Sequence, residues 1–84
     1  MSFQPNQITA EPGQVVAITL SNPDSIKHDF VVDDIGGESI QVELQPRQEV
    51  TFTITMPDEP GEWQFYCSVP GHRELGMEGI IVSR

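Results

Sequence analysis

The 84-residue sequence predicts an all-β sandwich, and three observations lead there. Apolar and polar residues alternate with period two in nearly every segment. Turn-forming clusters separate those segments at short intervals. No window carries the 3.6-residue periodicity of an independent helix.

The clearest strand is the run in which Val50, Phe52, Ile54 and Met56 alternate with Thr51, Thr53 and Thr55. Period-two alternation sends side chains to opposite faces of a pleated strand, so one face is buried and the other wetted. Ile40, Val42 and Leu44 alternate with Gln41, Glu43 and Gln45 in the same way, and Val16, Ile18 and Leu20 form a third apolar face. Gly79 to Val82 reads as a short closing strand. Between these runs lie Glu11-Pro12-Gly13, Asn22-Pro23-Asp24, Gly36-Gly37 and Pro57-Asp58-Glu59-Pro60-Gly61, all combinations that favour turns. The expected domain is a single unit, residues 1–84, without linker or repeat. A chain of this size buries only about 60% of its unfolded surface, so a bound metal would add usefully to its stability.

Thirteen acidic residues against four basic ones give a formal net charge of −9. Phosphate contacts need clustered Lys and Arg, so nucleic-acid binding is not expected. An acidic surface instead favours encounter with basic partners. No stretch approaches the ~20 apolar residues of a membrane-spanning helix. Met1-Ser2-Phe3-Gln4-Pro5 has neither the basic region nor the apolar run of a secretory leader.

Two further strands carry unusual residues. Parity puts His28 on one face with Phe30 and Val32, and Asp29 with Val31 on the other. Trp63 and Phe65 share a face with Cys67. If the two phenylalanines point into the core, His28 and Cys67 do so at the ends of their strands. Downstream, Cys67, His72 and Met77 follow one another at intervals of five, within a segment that Pro70-Gly71 and Gly76 turn from a strand into a loop. Such a loop curls its donors around one point, and sheet pairing would bring in His28. Two imidazoles, one thiolate and a weak thioether match the donor set of a blue-copper electron-transfer site. Thiolate and thioether favour Cu(I), imidazole suits both oxidation states, and a rigid β framework holds the compromise.

In these residues the chain resembles the cupredoxins. The Cys-x4-His-x4-Met spacing of Cys67, His72 and Met77 is most similar to the rusticyanin and auracyanin branch. Phe3-Gln4-Pro5 with Glu11-Pro12-Gly13 resembles the family's early strand and turn, and Lys27-His28-Asp29-Phe30 its first-ligand strand. The resemblance implies a Greek-key β-sandwich of six to seven strands. It implies one copper ion with His28, Cys67 and His72 as equatorial ligands and Met77 as the axial one, and an electron carrier rather than an enzyme. It also implies export to the periplasm, the extracellular space or the thylakoid lumen, the targeting segment being absent from this chain. Redox partners would dock near His72, Pro70, Gly71 and Leu75 on a monomer.

Two departures stand out. Many relatives have Asn after the first ligand histidine, bonded toward the residue after the cysteine; here that pair is Asp29 and Ser68. Relatives also begin with a strand ahead of the Phe-x-Pro segment, and its loss would leave a sheet edge exposed.

Other classes fit less well. A copper chaperone or storage module usually has Met-rich or paired-Cys sites. A Cys–His nucleophilic enzyme would need an orienting partner for His72 and an oxyanion loop. A binuclear copper centre would need a second cysteine. Zinc is the expected adventitious occupant.

Overall fold

The computed structural model describes residues 2–84. Seven strands form: β1 (Gln7–Ala10), β2 (Val15–Ser21), β3 (His28–Ile35), β4 (Glu38–Leu44), β5 (Glu49–Thr55), β6 (Gly61–Tyr66) and β7 (Glu78–Ser83). They make a five-stranded sheet in the order β1-β7-β6-β3-β4 and a two-stranded sheet of β2 and β5. β1 runs parallel to β7, and the other pairings are antiparallel. This is the expected all-β sandwich. Among the described residues, no helix is long and apolar enough to cross a membrane.

The alternating runs fold as their patterns require. Val16, Ile18 and Leu20 of β2 pair in register with Ile54, Phe52 and Val50 of β5 and turn toward the core. The intervening threonines face outward, where the hydroxyls of Thr19 and Thr51 meet at 3.0 Å across the pair. Opposite them, Phe30 and Phe65 are nearly inaccessible and stack with ring centroids 4.9 Å apart. Phe3 packs edge-on against both rings and Phe52 leans on Phe30, so four aromatics tie the two sheets together.

Two irregularities shape β3. Its register shifts between Val32 and Ile35, leaving Asp33 and Asp34 exposed side by side and returning Ile35 to the core. A bulge of this kind resets the inward face, so an odd-numbered residue joins the even-numbered core set. The hairpin to β4 then closes through Gly36 and Gly37, at φ of 63° and 86°. Positive φ at both loop positions is the geometry that two-residue hairpins need and that glycine adopts without strain.

One end of the sandwich collects the chemistry. His28 opens β3 and Leu44 closes β4; Cys67 directly follows β6 and Met77 directly precedes β7. A short 3-10 turn, Arg73–Leu75, lies inside the loop joining β6 to β7.

Candidate metal centre

Strand pairing carries His28 across its 39-residue separation from Cys67. β3 lies between β4 and β6, and the register pairs Val31 with Tyr66, the residue before Cys67. His28, Cys67 and His72 are all buried, and one donor atom from each lies within 4.8 Å of the others. The Nδ1 atoms of the two imidazoles are 3.1 Å apart. The Cys67 sulfur lies 4.0 Å from Nδ1 of His28 and 3.5 Å from Nδ1 of His72. Two ring nitrogens and a sulfur converging in a buried space form a donor triangle. That arrangement fits a single ion that takes nitrogen and sulfur donors.

The loop from Cys67 to Met77 is shaped by its own main chain. The His72 N–H donates to the Val69 carbonyl at 3.0 Å, and the His72 carbonyl accepts from the N–H groups of Leu75 and Met77 at 3.1 Å each. The Cys67 N–H donates to the Met77 carbonyl at 3.0 Å, so the first and last of the three loop donors are joined across the loop's base. Gly71 and Gly76 take positive φ where the chain reverses. Met77 is buried and lines the same cavity as His28 and Leu44. The five-residue spacing, incompatible with a strand, is thus accommodated by two tight reversals.

Burial pushes the Cys67 thiol above its ordinary pKa, while main-chain N–H groups of Asp29 and Val69 pull the other way. The Asp29 N–H reaches the sulfur at 3.4 Å. A bound cation outweighs such shifts, since a coordinating thiol is deprotonated outright.

Asp29 follows His28 on β3 and is also buried. The ligand loop covers it, and the Asp29 carboxylate accepts both the N–H and the hydroxyl of Ser68. The link that relatives make with Asn is therefore made here by a carboxylate.

Two residues near the centre were read from sequence only as parts of a turn. Asn22 is buried, and its amide donates to the carbonyls of Ile26, Leu44 and Gln45, at 2.9, 3.2 and 3.2 Å. Its oxygen accepts the N–H of Asp24 at 3.0 Å. Asp24 in turn places a carboxylate oxygen 2.8 Å from Nε2 of His28. A polar turn four residues ahead of a candidate ligand histidine was the available signal.

The expected docking residues lie at the surface of this end. Pro70 and Gly71 are exposed, and Leu75 is 67% exposed although apolar. His72 lies buried between them.

Comparison with known proteins follows the same lines. One curated relative is the copper-resistant cuproprotein CopI of Rubrivivax gelatinosus, 26% identical over 103 residues; the match takes in all of this chain and 61% of that protein. Auracyanin A, a "blue" copper protein of Chloroflexus aurantiacus, superposes with a TM-score of 0.81 at 20% identity, covering 99% of this chain and 89% of that one. Reduced auracyanin from Roseiflexus castenholzii gives 0.77 at 21% identity, over 94% and 84% of the two chains. At those identities the superpositions speak for the fold. The family model for the cupredoxin-like domain matches residues 1–82. With nearly its whole length matched and its strands arranged as a cupredoxin sandwich, the chain belongs to the cupredoxin-like domain family.

Proposed function

We propose that this protein holds one copper ion between His28, Cys67, His72 and Met77 and serves as a one-electron carrier between redox proteins. The observation that carries this reading is the buried convergence of two Nδ1 atoms and one sulfur within 4.8 Å, where β3 meets a loop braced by its own main chain. When bound there, copper supplies a one-electron couple between its two oxidation states. The residues supply the rest. The sheets fix His28 and the reversals fix Cys67 and His72, while Met77, which lines the cavity beside His28, would add a soft fourth donor. A framework this constrained limits how far ligands move when the charge changes. With four protein donors, no position is kept open for a substrate, so the protein is not an enzyme. Zinc would enter as an adventitious occupant where copper is scarce.

The partners in this reading are redox proteins that dock over Pro70, Gly71, Leu75 and the edge of His72. Electron-transfer contacts are small and exchange quickly, which suits a limited apolar rim on a monomer. The net charge of −9 steers basic partners toward the surface. An exported compartment is the proposed location, in keeping with copper handling outside the cytosol.

Adding Cu(II) to metal-free protein tests the reading. One equivalent should give an intense visible thiolate-to-copper band and a reversible one-electron wave in voltammetry. A colourless protein that takes up no copper overturns it. A second reading, copper sequestration, is favoured by the match to a copper-resistance cuproprotein along the whole chain. Tight stoichiometric uptake without a reversible wave would select it over the carrier.

A further inference from the structure

We propose that Asp24 is a positioning residue for the metal centre, fixing which nitrogen His28 offers and biasing the site toward the divalent ion. The inference rests on the copper reading above and concerns a residue outside the donor set.

His28 is almost fully buried, and both of its ring nitrogens are engaged. Nδ1 faces the Cys67 sulfur and Nδ1 of His72. Nε2 lies 2.8 Å from the Asp24 carboxylate, which only accepts hydrogen bonds. The proton of neutral His28 therefore sits on Nε2, and the lone pair on Nδ1 points to the centre. An imidazole that donates its distal N–H to a carboxylate is held in orientation and made a more basic ligand. The greater basicity and the nearby negative charge both favour Cu(II) over Cu(I).

Asp24 is itself held in place. Its N–H donates to the side chain of Asn22, whose amide is bonded to the carbonyls that end β4. Among the described residues, the side chains of Lys27 and Arg73 pair with Glu43 and Glu78, and the carboxylate of Asp24 meets the His28 imidazole. The carboxylate is half exposed and lines the same cavity as His28 and Met77. Arg47 donates to the neighbouring Pro23 carbonyl, and the Asp24 carboxylate lies one imidazole away from the donor triangle.

The experiment compares the parent 84-residue protein with Asp24→Asn, Asp24→Ala and Asp58→Asn. Asp58 removes the same charge at the opposite, Gly36–Gly37 end of the sandwich. Affinities for Cu(II) and Cu(I) are measured by chelator competition, and the potential by voltammetry. Asp24→Asn should weaken Cu(II) about tenfold and leave Cu(I) nearly unchanged, raising the potential by about 59 mV. Asp24→Ala should lose at least as much, and Asp58→Asn should match the parent. A parent that binds neither ion overturns the copper reading. A parent that binds both, with Asp24→Asn equal to it or to Asp58→Asn in potential, overturns this inference alone.

Discussion

The carboxylate of Asp29 accepts two hydrogen bonds from Ser68, one from the main-chain N–H and one from the hydroxyl. It thereby ties the start of β3 to the residue after Cys67, joining the two segments that meet at the metal centre. Hydrogen bonds to a charged group contribute more than neutral ones, and truncation leaves the partner groups unmet. Asp29→Ala should lower the stability of the metal-free protein by about 1.5–3 kcal/mol. Asp29→Asn, which keeps an acceptor oxygen, should recover part of that. The midpoints of denaturant unfolding decide between the two.

Asn22 does comparable work on the other side of His28. Its amide is shared among three main-chain carbonyls, and it is buried. Asn22→Ala should cost about 1–3 kcal/mol, the penalty for leaving such groups unsatisfied. Because Asn22 also holds Asp24, the same variant should bind Cu(II) less tightly than an equally destabilised core variant such as Ile54→Val. Equal affinities would separate the turn from the site.

Much of this architecture was legible in the order of residue types. Period-two runs marked β2, β4 and β5, the short run Gly79 to Val82 marked β7, and the Gly36-Gly37 pair marked the hairpin between β3 and β4. The burial of His28 and Cys67 followed from their parity with Phe30 and Phe65. What parity could not supply was the state of the opposite face. The sequence pairs Asp29 with Ser68 only through the family resemblance, and the fold shows the buried carboxylate accepting both the N–H and the hydroxyl of Ser68. The roles of Asn22 and Asp24 were hidden for a related reason. Turn propensity reports the local chain direction and says nothing about which distant carbonyls a turn side chain will meet.

Gly79 shows a requirement of another kind. It lies on β7 beside Phe65 of β6, and a Cβ there would fall well inside contact distance of the Phe65 ring and the Asn6 carbonyl. The obstacle includes main chain, so relief requires β7 to shift against the N-terminal segment. Gly79→Ala should destabilise the fold by about 1–3 kcal/mol, as overpacking does. Gly37→Ala is the useful contrast, because nothing lies near its added methyl and the cost there is backbone strain alone. Thermal unfolding of the two variants measures the difference.

Tyr66 donates its hydroxyl to Asp33 at 2.6 Å and lies beneath the Arg73 guanidinium, 4.2 Å from the ring centroid. The hydrogen bond to Asp33 raises the phenol above its ordinary value of 10.0; burial and the Asp33 charge add to this, while Arg73 opposes it. Phenolate absorbance in the ultraviolet should therefore develop only above pH 10 in the folded protein. Asp33→Asn should move that titration downward. The folded value is the raised one, so this contact stabilises the protein below pH 10 and its contribution is lost as pH climbs through the folded value.

The Cys67 thiol gives the corresponding test of metal removal. In metal-free protein, burial holds its pKa above the ordinary 9.0. The neutral thiol's contribution is then fully present below pH 9.0 and lost as pH rises through the raised folded value, because the unfolded chain ionises first. Unfolding midpoints of metal-free protein should thus fall more steeply on the alkaline side than those of Cys67→Ala. A bound cation reverses the balance by stabilising the thiolate, so the metal-loaded protein should lose this alkaline sensitivity. Its sulfur should also resist alkylation that the metal-free form undergoes slowly at alkaline pH. Equal alkylation rates with and without metal would mean that Cys67 is no ligand.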